Sequence, residues 1–377
     1  MESLKTLRAT ALLTGTVIGA GVLGIPFAIA KAGFLTGLLM IVLLGAAMLI
    51  LNLFFGEIIL RTSGSHQFSG YAERYLGKWG KYLASFALFF GIYGALIAYM
   101  VGEGEALSAI FGLKPIIFTL IFFVLVAAIV FKGLEAISKS EIYLLSIVLL
   151  LVAVISVITI SSGKFDISNL TTFNIYHIFI PFGVILFAFR GFEAIPEMRE
   201  YLQRDRKKLK KAIIIGSLIP LVVYIIFAFA TLGITGANTT EIVTIGLGES
   251  LGEGMLILGS LFAIFAMLTS FLTLSLAMKE IYMFDYKLSP NKSWALTMFI
   301  PIIIILAGAT DFIKVIGITG ALSGGIEGII IVLMHRKARK HGNRVPEFKL
   351  GKKTGIGLFL ILLFILGIIY QILQMIK

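Results

Sequence analysis

The sequence predicts an all-α membrane protein of eleven transmembrane helices, and three observations carry that expectation. The chain of 377 residues is 59% hydrophobic and only 14% charged, with a mean hydropathy of +1.03; a water-soluble domain carries about 25% charged residues. Its apolar residues run in stretches near the roughly 20 that a helix needs to cross a bilayer. Its basic residues crowd into every second connection and are sparse in the others. No alternating pattern of about ten-residue segments appears, which argues against a transmembrane β-barrel. The absence of cysteine excludes disulfide scaffolds, thiolate metal sites and thiol catalysis.

Apolar windows bounded by charge, Gly or Pro place the spans at roughly 8–31, 34–60, 82–110, 115–131, 141–161, 175–198, 211–235, 254–278, 294–309, 313–334 and 354–376. The first is too long for a signal peptide, holds Pro26 and lacks a clear small-residue cleavage site. The second ends at Arg61, and the third starts after a polar connection over 61–81. Lys114 and Lys132 bracket the fourth, and Lys139 and Lys164 bracket the fifth. The sixth and seventh are separated by the basic run from Arg199 to Lys211. Before the eighth, the stretch 236–253 holds three Glu but no Lys or Arg and reads as an external loop with a short helix that caps the mouth. The ninth follows Lys292, the tenth runs into His335-Arg336, and the eleventh follows Lys353.

With a cytoplasmic N-terminus, 26 of the 32 Lys and Arg fall in the inner connections. Five fall outside, at Lys31, Lys114, Lys164, Lys314 and Lys377, and Arg190 alone lies within a span. An asymmetry of that size is the positive-inside signature. It predicts a multi-pass protein of the cell membrane with its C-terminus outside. It also reads the Arg204-Asp205-Arg206-Lys207-Lys208 loop as a topogenic segment near anionic lipid, so the net charge of +12 implies a bilayer partner and no nucleic acid.

Two spans contain residues that break helices. The first reads Gly15-Thr16-Val17-Ile18-Gly19-Ala20-Gly21-Val22-Leu23-Gly24-Ile25-Pro26, and the sixth reads Phe187-Ala188-Phe189-Arg190-Gly191-Phe192-Glu193-Ala194-Ile195-Pro196. In a helix interior Gly costs about 1 kcal/mol and Pro about 3 relative to Ala. In both spans a Pro follows a Gly by five residues, Gly21 to Pro26 and Gly191 to Pro196. Interrupted segments at corresponding places in two halves point to the binding site of an inverted-repeat transporter. A five-span unit also gives its second copy the opposite orientation. Unwound backbone at membrane depth must line a cavity or be buried in protein; its N–H groups can hold a carboxylate and its carbonyls an amine or cation. Close packing of small residues against another helix is the alternative role for Gly19 and Gly21. The Gly19-to-Gly24 match to a dinucleotide fingerprint has no preceding strand and carries no weight.

Residues 15–28, Gly-Thr-Val-Ile-Gly-Ala-Gly-Val-Leu-Gly-Ile-Pro-Phe-Ala, resemble the first-helix signature of the amino acid/auxin permease family, within the amino acid–polyamine–organocation superfamily of LeuT fold. Phe187 to Gly191 with Ile195-Pro196 resembles that family's sixth helix, Tyr99 to Glu105 its third, and Leu268 to Leu272 its eighth. The resemblance implies a LeuT-like five-plus-five inverted repeat plus one helix, with helices 1 and 6 broken. It puts repeat one at about 8–161, repeat two at about 175–334 and the extra helix at about 354–376, all in a single transmembrane transporter domain. It implies import of an amino acid by alternating access. Carried over by position, Gly19, Ala20, Gly21 and Val22 would receive the substrate carboxylate. Phe187, Ala188 and Phe189 would face its ammonium and side chain, and Tyr99 would close a wall. A sodium site would use carbonyls of Gly15, Ile18 and Ala266 with hydroxyls of Thr269 and Ser270; back-bonding to their own helix is the other role for those hydroxyls. The same scaffold serves proton-coupled members, so the coupling ion is sodium or a proton and no other cofactor is implied.

Charged groups within spans are costly and usually paired or functional. Arg190 stands where proton-coupled relatives often have an acidic residue. It is expected to bind an anionic substrate group or to pair with Glu103, Glu105 or Glu193. Glu105 and Glu327 are the candidates for carrying a coupled proton, while Glu57, one turn from Arg61, reads as half of a surface pair. His66, His335 and His341 read as loop residues and form no metal-ligand pattern. The expected function is therefore a secondary active amino acid transporter and not an enzyme. A carrier of the same fold for another solute, such as a nucleobase, is the alternative, followed by an intramembrane enzyme, for which neither a nucleophile–base pair nor a metal motif is visible.

Overall fold

The computed structural model describes residues 2–64, 66–132, 137–203, 205–284, 286–351 and 353–376. Arg204, Lys352 and Lys377, counted among the basic residues above, lie outside them. The described residues form helices and no strand.

The long apolar runs become helices because only internal backbone pairing satisfies N–H and C=O groups in lipid. In chain order they are α1 (Glu2–Val17), α2 (Gly21–Ala32), α3 (Phe34–Leu60), α4 (Phe68–Leu76), α5 (Lys78–Phe111), α6 (Pro115–Lys132), α7 (Ile137–Ser161), α8 (Phe182–Ala188), α9 (Ile195–Tyr201) and α10 (Leu209–Thr235). They continue with α11 (Val243–Leu251), α12 (Glu253–Phe284), α13 (Pro290–Leu306), α14 (Phe312–Thr319), α15 (Gly325–His341) and α16 (Thr354–Ile376). Among the described residues seven helical stretches are long and apolar enough to span a membrane, or eight if α1 and α2 count as one bent span. The chain is thus a multi-pass membrane protein.

Helix ends follow local chemistry. Gly112 takes a left-handed conformation after α5, its N–H bonding Ser108 O at 2.8 Å, a stop that glycine adopts without a Cβ penalty. Asp311 caps α14 by accepting from Lys314 N at 2.7 Å. The expected connection over 61–81 holds the helix α4, and α5 begins at Lys78, before the expected start of that span. The α4 residues Phe68, Tyr71, Ala72 and Tyr75 are buried, so the stretch is amphipathic and packs on α5 and α15 instead of looping through solvent. The stretch 236–253 contains α11.

The bundle is built around α5, which packs on α6, α12 and α14. By contrast, α16 has only 28% of its apolar window buried, leaving most of its surface for lipid. The connection after α15 folds back as a strap onto the end of α3. Arg344 N bonds Arg61 O at 3.2 Å, Arg344 Nη1 bonds Leu60 O at 2.8 Å, and Leu350 N bonds Glu57 Oε2 at 3.0 Å. Two expectations change here. Glu57 is fully buried, with Arg61 Nε at 2.8 Å and His335 Nε2 at 3.0 Å, so it is the centre of a polar hub and not half of a surface pair. His335 and His341 lie on α15, and His335 is buried and stacked on Phe54, with ring centroids 4.0 Å apart.

Candidate functional site

The two breakable stretches meet in the middle of the bundle. After α1 the chain turns through Ile18, Gly19 and Ala20 into α2, with the two helices bent by 51°. Gly19 N–H turns to Val17 O at 3.0 Å, so Gly15 O loses its helical donor. Val22 N–H reaches Gly19 O at 3.3 Å, and the N–H groups of Ala20 and Gly21 have no hydrogen-bond partner among the described residues. Opposite, α8 ends at Ala188, Gly191 is extended, a short 3-10 turn covers Phe192–Ala194, and α9 starts at Ile195. Missing donors and acceptors at such ends are what a polar ligand can satisfy.

Contact between the breaks is backbone-close. A Cβ added to Gly21 would lie 2.5 Å from Ala188 Cβ and 2.6 Å from Ala188 Cα, so any larger residue forces α2 and α8 apart. Tyr224 of α10 fixes the same junction, its hydroxyl lying 2.7 Å from Val17 O and 3.0 Å from Ala188 O. A phenol has one proton, so these carbonyls share one donor. Sequence reasoning missed Tyr224. Its signal was a single aromatic with a polar tip inside the apolar run of the seventh span, since buried tyrosines usually find a partner for the hydroxyl.

Between these elements lies a cavity of about 440 Å³, within the size range of small-molecule sites. Gly19, Gly21, Tyr99, Phe187, Ala188 and Arg190, all expected at the site, line it. Leu88, Ile92 and Ala95 of α5 add apolar wall, and Gln67, Ser69, Glu197 and Glu280 mark its course toward the side that carries α4 and the strap. Ala20, Val22 and Phe189 do not line it. All three are buried, and Phe189 packs on the Tyr224 ring, centroids 5.1 Å apart.

A second cavity of about 80 Å³ is lined by Gly15, Ile18, Thr269 and Ser270 together with Tyr99, Leu145 and Val148. Four of the five residues expected around a cation therefore come together. Ala266 does not line the space, and its carbonyl accepts from Thr269 Oγ1 at 3.2 Å. Thr269 Oγ1 also donates to Phe265 O at 2.9 Å, which still leaves hydroxyl lone pairs for a hard cation. The donor set is all oxygen and contains no carboxylate, which suits a monovalent ion. Among the described residues no group of His, Cys, Asp and Glu is arranged to hold a metal.

The charges within spans sort differently from expectation. Arg190 Nη2 bonds Glu193 Oε1 at 2.8 Å and Glu327 Oε1 at 2.9 Å. Of the three partners expected for Arg190, only Glu193 is found, and Glu327 was not anticipated in that role. Glu103 is fully buried with neither oxygen hydrogen-bonded among the described residues, and Glu105 stands near Glu241 and Asp311 at the opposite end of the bundle. Glu241, in the connection before α11, titrates above its ordinary range because it is partly buried and faces Asp311.

The sequence profile of the tryptophan/tyrosine permease family matches residues 2–374. The tyrosine-specific transport system 1 of Haemophilus influenzae is 28% identical, covering 97% of this chain and 95% of its own. Glutamine transporter 2 of Aliivibrio fischeri is 25% identical over 84% of this chain and 85% of its own. The tryptophan-specific transport protein of Shigella flexneri is 24% identical over 94% and 92%. The crystal structure of MhsT in complex with L-phenylalanine superposes with a TM-score of 0.69 at 15% identity, covering 97% of this chain and 98% of that one. At that identity the likeness establishes a shared fold.

Proposed function

The chain belongs to the tryptophan/tyrosine permease family, and from that membership and the geometry above we propose that it is a secondary active importer of an amino acid. The family falls in the same broad transporter class as the amino acid/auxin permeases that the motifs resemble, and its members and relatives are permeases and not enzymes. The observation that carries the substrate reading is the meeting of two helix breaks, with the unpartnered N–H groups of Ala20 and of the cavity-lining Gly21 at the edge of a mostly apolar cavity. Those N–H groups, at the start of α2, receive the carboxylate. The backbone near Ala188 faces the ammonium, and Tyr99, Phe187 and Ile92 face the side chain. In this reading the eleven spans form two inverted five-helix repeats, 8–161 and 175–334, plus a last helix, with α1–α2 and α8–α9 as the broken first and sixth spans. The basic side is cytoplasmic, so the cavity, which runs toward that side, belongs to an inward-facing state.

Energy comes from a sodium or proton gradient. The space around Gly15, Ile18, Thr269 and Ser270 fits a sodium ion, and the carboxyl groups of Glu105 and Glu327 are candidates for a proton. Reconstituted protein given tyrosine, tryptophan, phenylalanine and glutamine under imposed gradients tests the reading. Gradient-accelerated uptake of at least one amino acid is expected, and a Gly21→Val variant should lose it by at least tenfold because the side chain meets Ala188. Failure to move any amino acid, together with thermal stabilisation by another solute such as a nucleobase, would overturn it.

A further inference from the structure

We propose that Arg190, Glu193 and Glu327 together hold one exchangeable proton, and that this is the proton whose movement is coupled to substrate. The inference rests on the transporter reading and specifies what drives it. Its first ground is charge. One guanidinium faces two carboxylates, so the fully ionised cluster carries a net negative charge in a buried place. Glu327 is fully buried, and the Glu193 side chain is 32% exposed. Two carboxylates that share one site do not both ionise readily, and the bound proton belongs to the cluster as a whole.

The second ground is incomplete bonding. Both ion-pair contacts use the same nitrogen, Arg190 Nη2. Arg190 Nε, Glu327 Oε2 and Ser323 Oγ are buried without hydrogen-bond partners among the described residues. A purely structural pair would spread its bonds over the guanidinium fork and both carboxylate oxygens. Here the geometry leaves one lone-pair site and one hydroxyl in reserve. Ser323 lies on a π-helical turn, Gly320–Gly324, immediately before α15, an irregularity that recurs at functional sites.

Position is the third ground. Arg190 and Glu193 line the central cavity, whereas Glu327 stands behind them. On the far side α5 closes the guanidinium in at Gly91, where a Cβ would collide with Arg190 Nη1 and lie 2.7 Å from both Arg190 Nη2 and Ser323 Oγ. Glu327 thus reaches cavity water through the residues that line the substrate space. Tyr99 from α5 faces the Arg190 guanidinium, and Glu197 from α9 and Glu280 from α12 line the same cavity, where Arg190 is the sole cation among the described residues. When a proton adds to a Glu327 oxygen lone pair, the Arg190–Glu327 ion pair is lost and Arg190, still charged, keeps Glu193. When the proton leaves to water of the cavity, the pair re-forms.

The test uses full-length protein in proteoliposomes, with tyrosine as probe or the first amino acid found to exchange. Wild type is expected to accumulate substrate under an inward proton gradient. In Glu327→Gln the ratio of gradient-driven uptake to gradient-free exchange should fall at least tenfold. Retention of that ratio would overturn the proposal, as would wild-type accumulation driven by sodium alone. Substrate-induced proton uptake, followed with a pH indicator, gives a second readout should Glu327→Gln fail to fold. Glu193→Gln removes one of the two like charges and should move the midpoint of uptake about one pH unit lower; an unmoved midpoint would also overturn it. Absence of exchange in wild type for every amino acid counts against the transporter reading itself, which keeps the two failures distinct.

Discussion

Glu57 and Glu327 are both fully buried and both face an arginine, yet they are bonded in opposite ways. Glu57 accepts from Arg61 Nε and Nη2, from His335 Nε2 and from Leu350 N, so both of its oxygens are engaged. Among the described residues Glu327 accepts one bond, from an arginine it shares with Glu193, and its second oxygen has no partner. The first arrangement is saturated by donors from the residue that ends α3, from α15 and from the strap, and changing its charge would break several contacts together. The second can gain or lose a proton while Arg190 keeps a carboxylate. Saturation marks a joint, and reserve capacity marks a working part.

Four measurements break or sharpen this contrast. The largest effect is expected for Glu57→Ala, which leaves Arg61 and His335 facing an empty buried site and should cost about 3–5 kcal/mol. Melting in detergent would show it, and a shift of less than a few degrees would mean that the hub is not a structural joint. His335→Gln keeps one donor toward Glu57 but loses the stack on Phe54, so a loss of about 1–2 kcal/mol is expected by the same assay. For Glu327→Gln the stability change should stay under about 1 kcal/mol, because an amide oxygen still accepts from Arg190. A collapse of the fold there would place Glu327 in the same class as Glu57.

The smallest effect concerns pH at the strap. Burial pushes the Glu347 carboxyl up, but the paired Arg344 guanidinium pulls it further down, leaving it below the usual carboxylate range. A depressed carboxylate stabilises the folded strap at pH values above its unfolded pKa, and that contribution is lost as pH falls through the folded value. Hydrogen-exchange protection factors over residues 342–350 should therefore drop between about pH 5 and pH 3. Constant protection across that window would show that the pair does not hold the strap.

Much of the architecture was legible because hydropathy and charge alternation act through the bilayer, which imposes one length and one direction on every span. Gly19, Gly21, Gly191 and Pro196 were legible as irregular backbone because their own conformational costs declare them. Partnerships were harder. Glu57 looked like a surface group because Arg61 is its helical neighbour, and nothing local shows that the chain from His335 to Leu350 returns to cover it. The Arg190–Glu327 contact spans 137 positions in sequence and depends on which face the tenth span turns inward. Span-depth reasoning favoured Glu103 and Glu105, whereas packing takes Glu103 into a sealed contact and Glu105 to the far end. The α4 helix was hidden for a related reason: it is polar enough to read as a connection, and its buried face becomes visible only against α5 and α15.

The Tyr224 hydroxyl, set between Val17 O and Ala188 O, also offers a way to watch the molecule work. A fluorine atom placed ortho to that hydroxyl would feel either half-helix shift, since movement of one carbonyl sends the shared proton to the other. Its magnetic resonance signal would then report on both broken spans from a single atom, without a label in the substrate space.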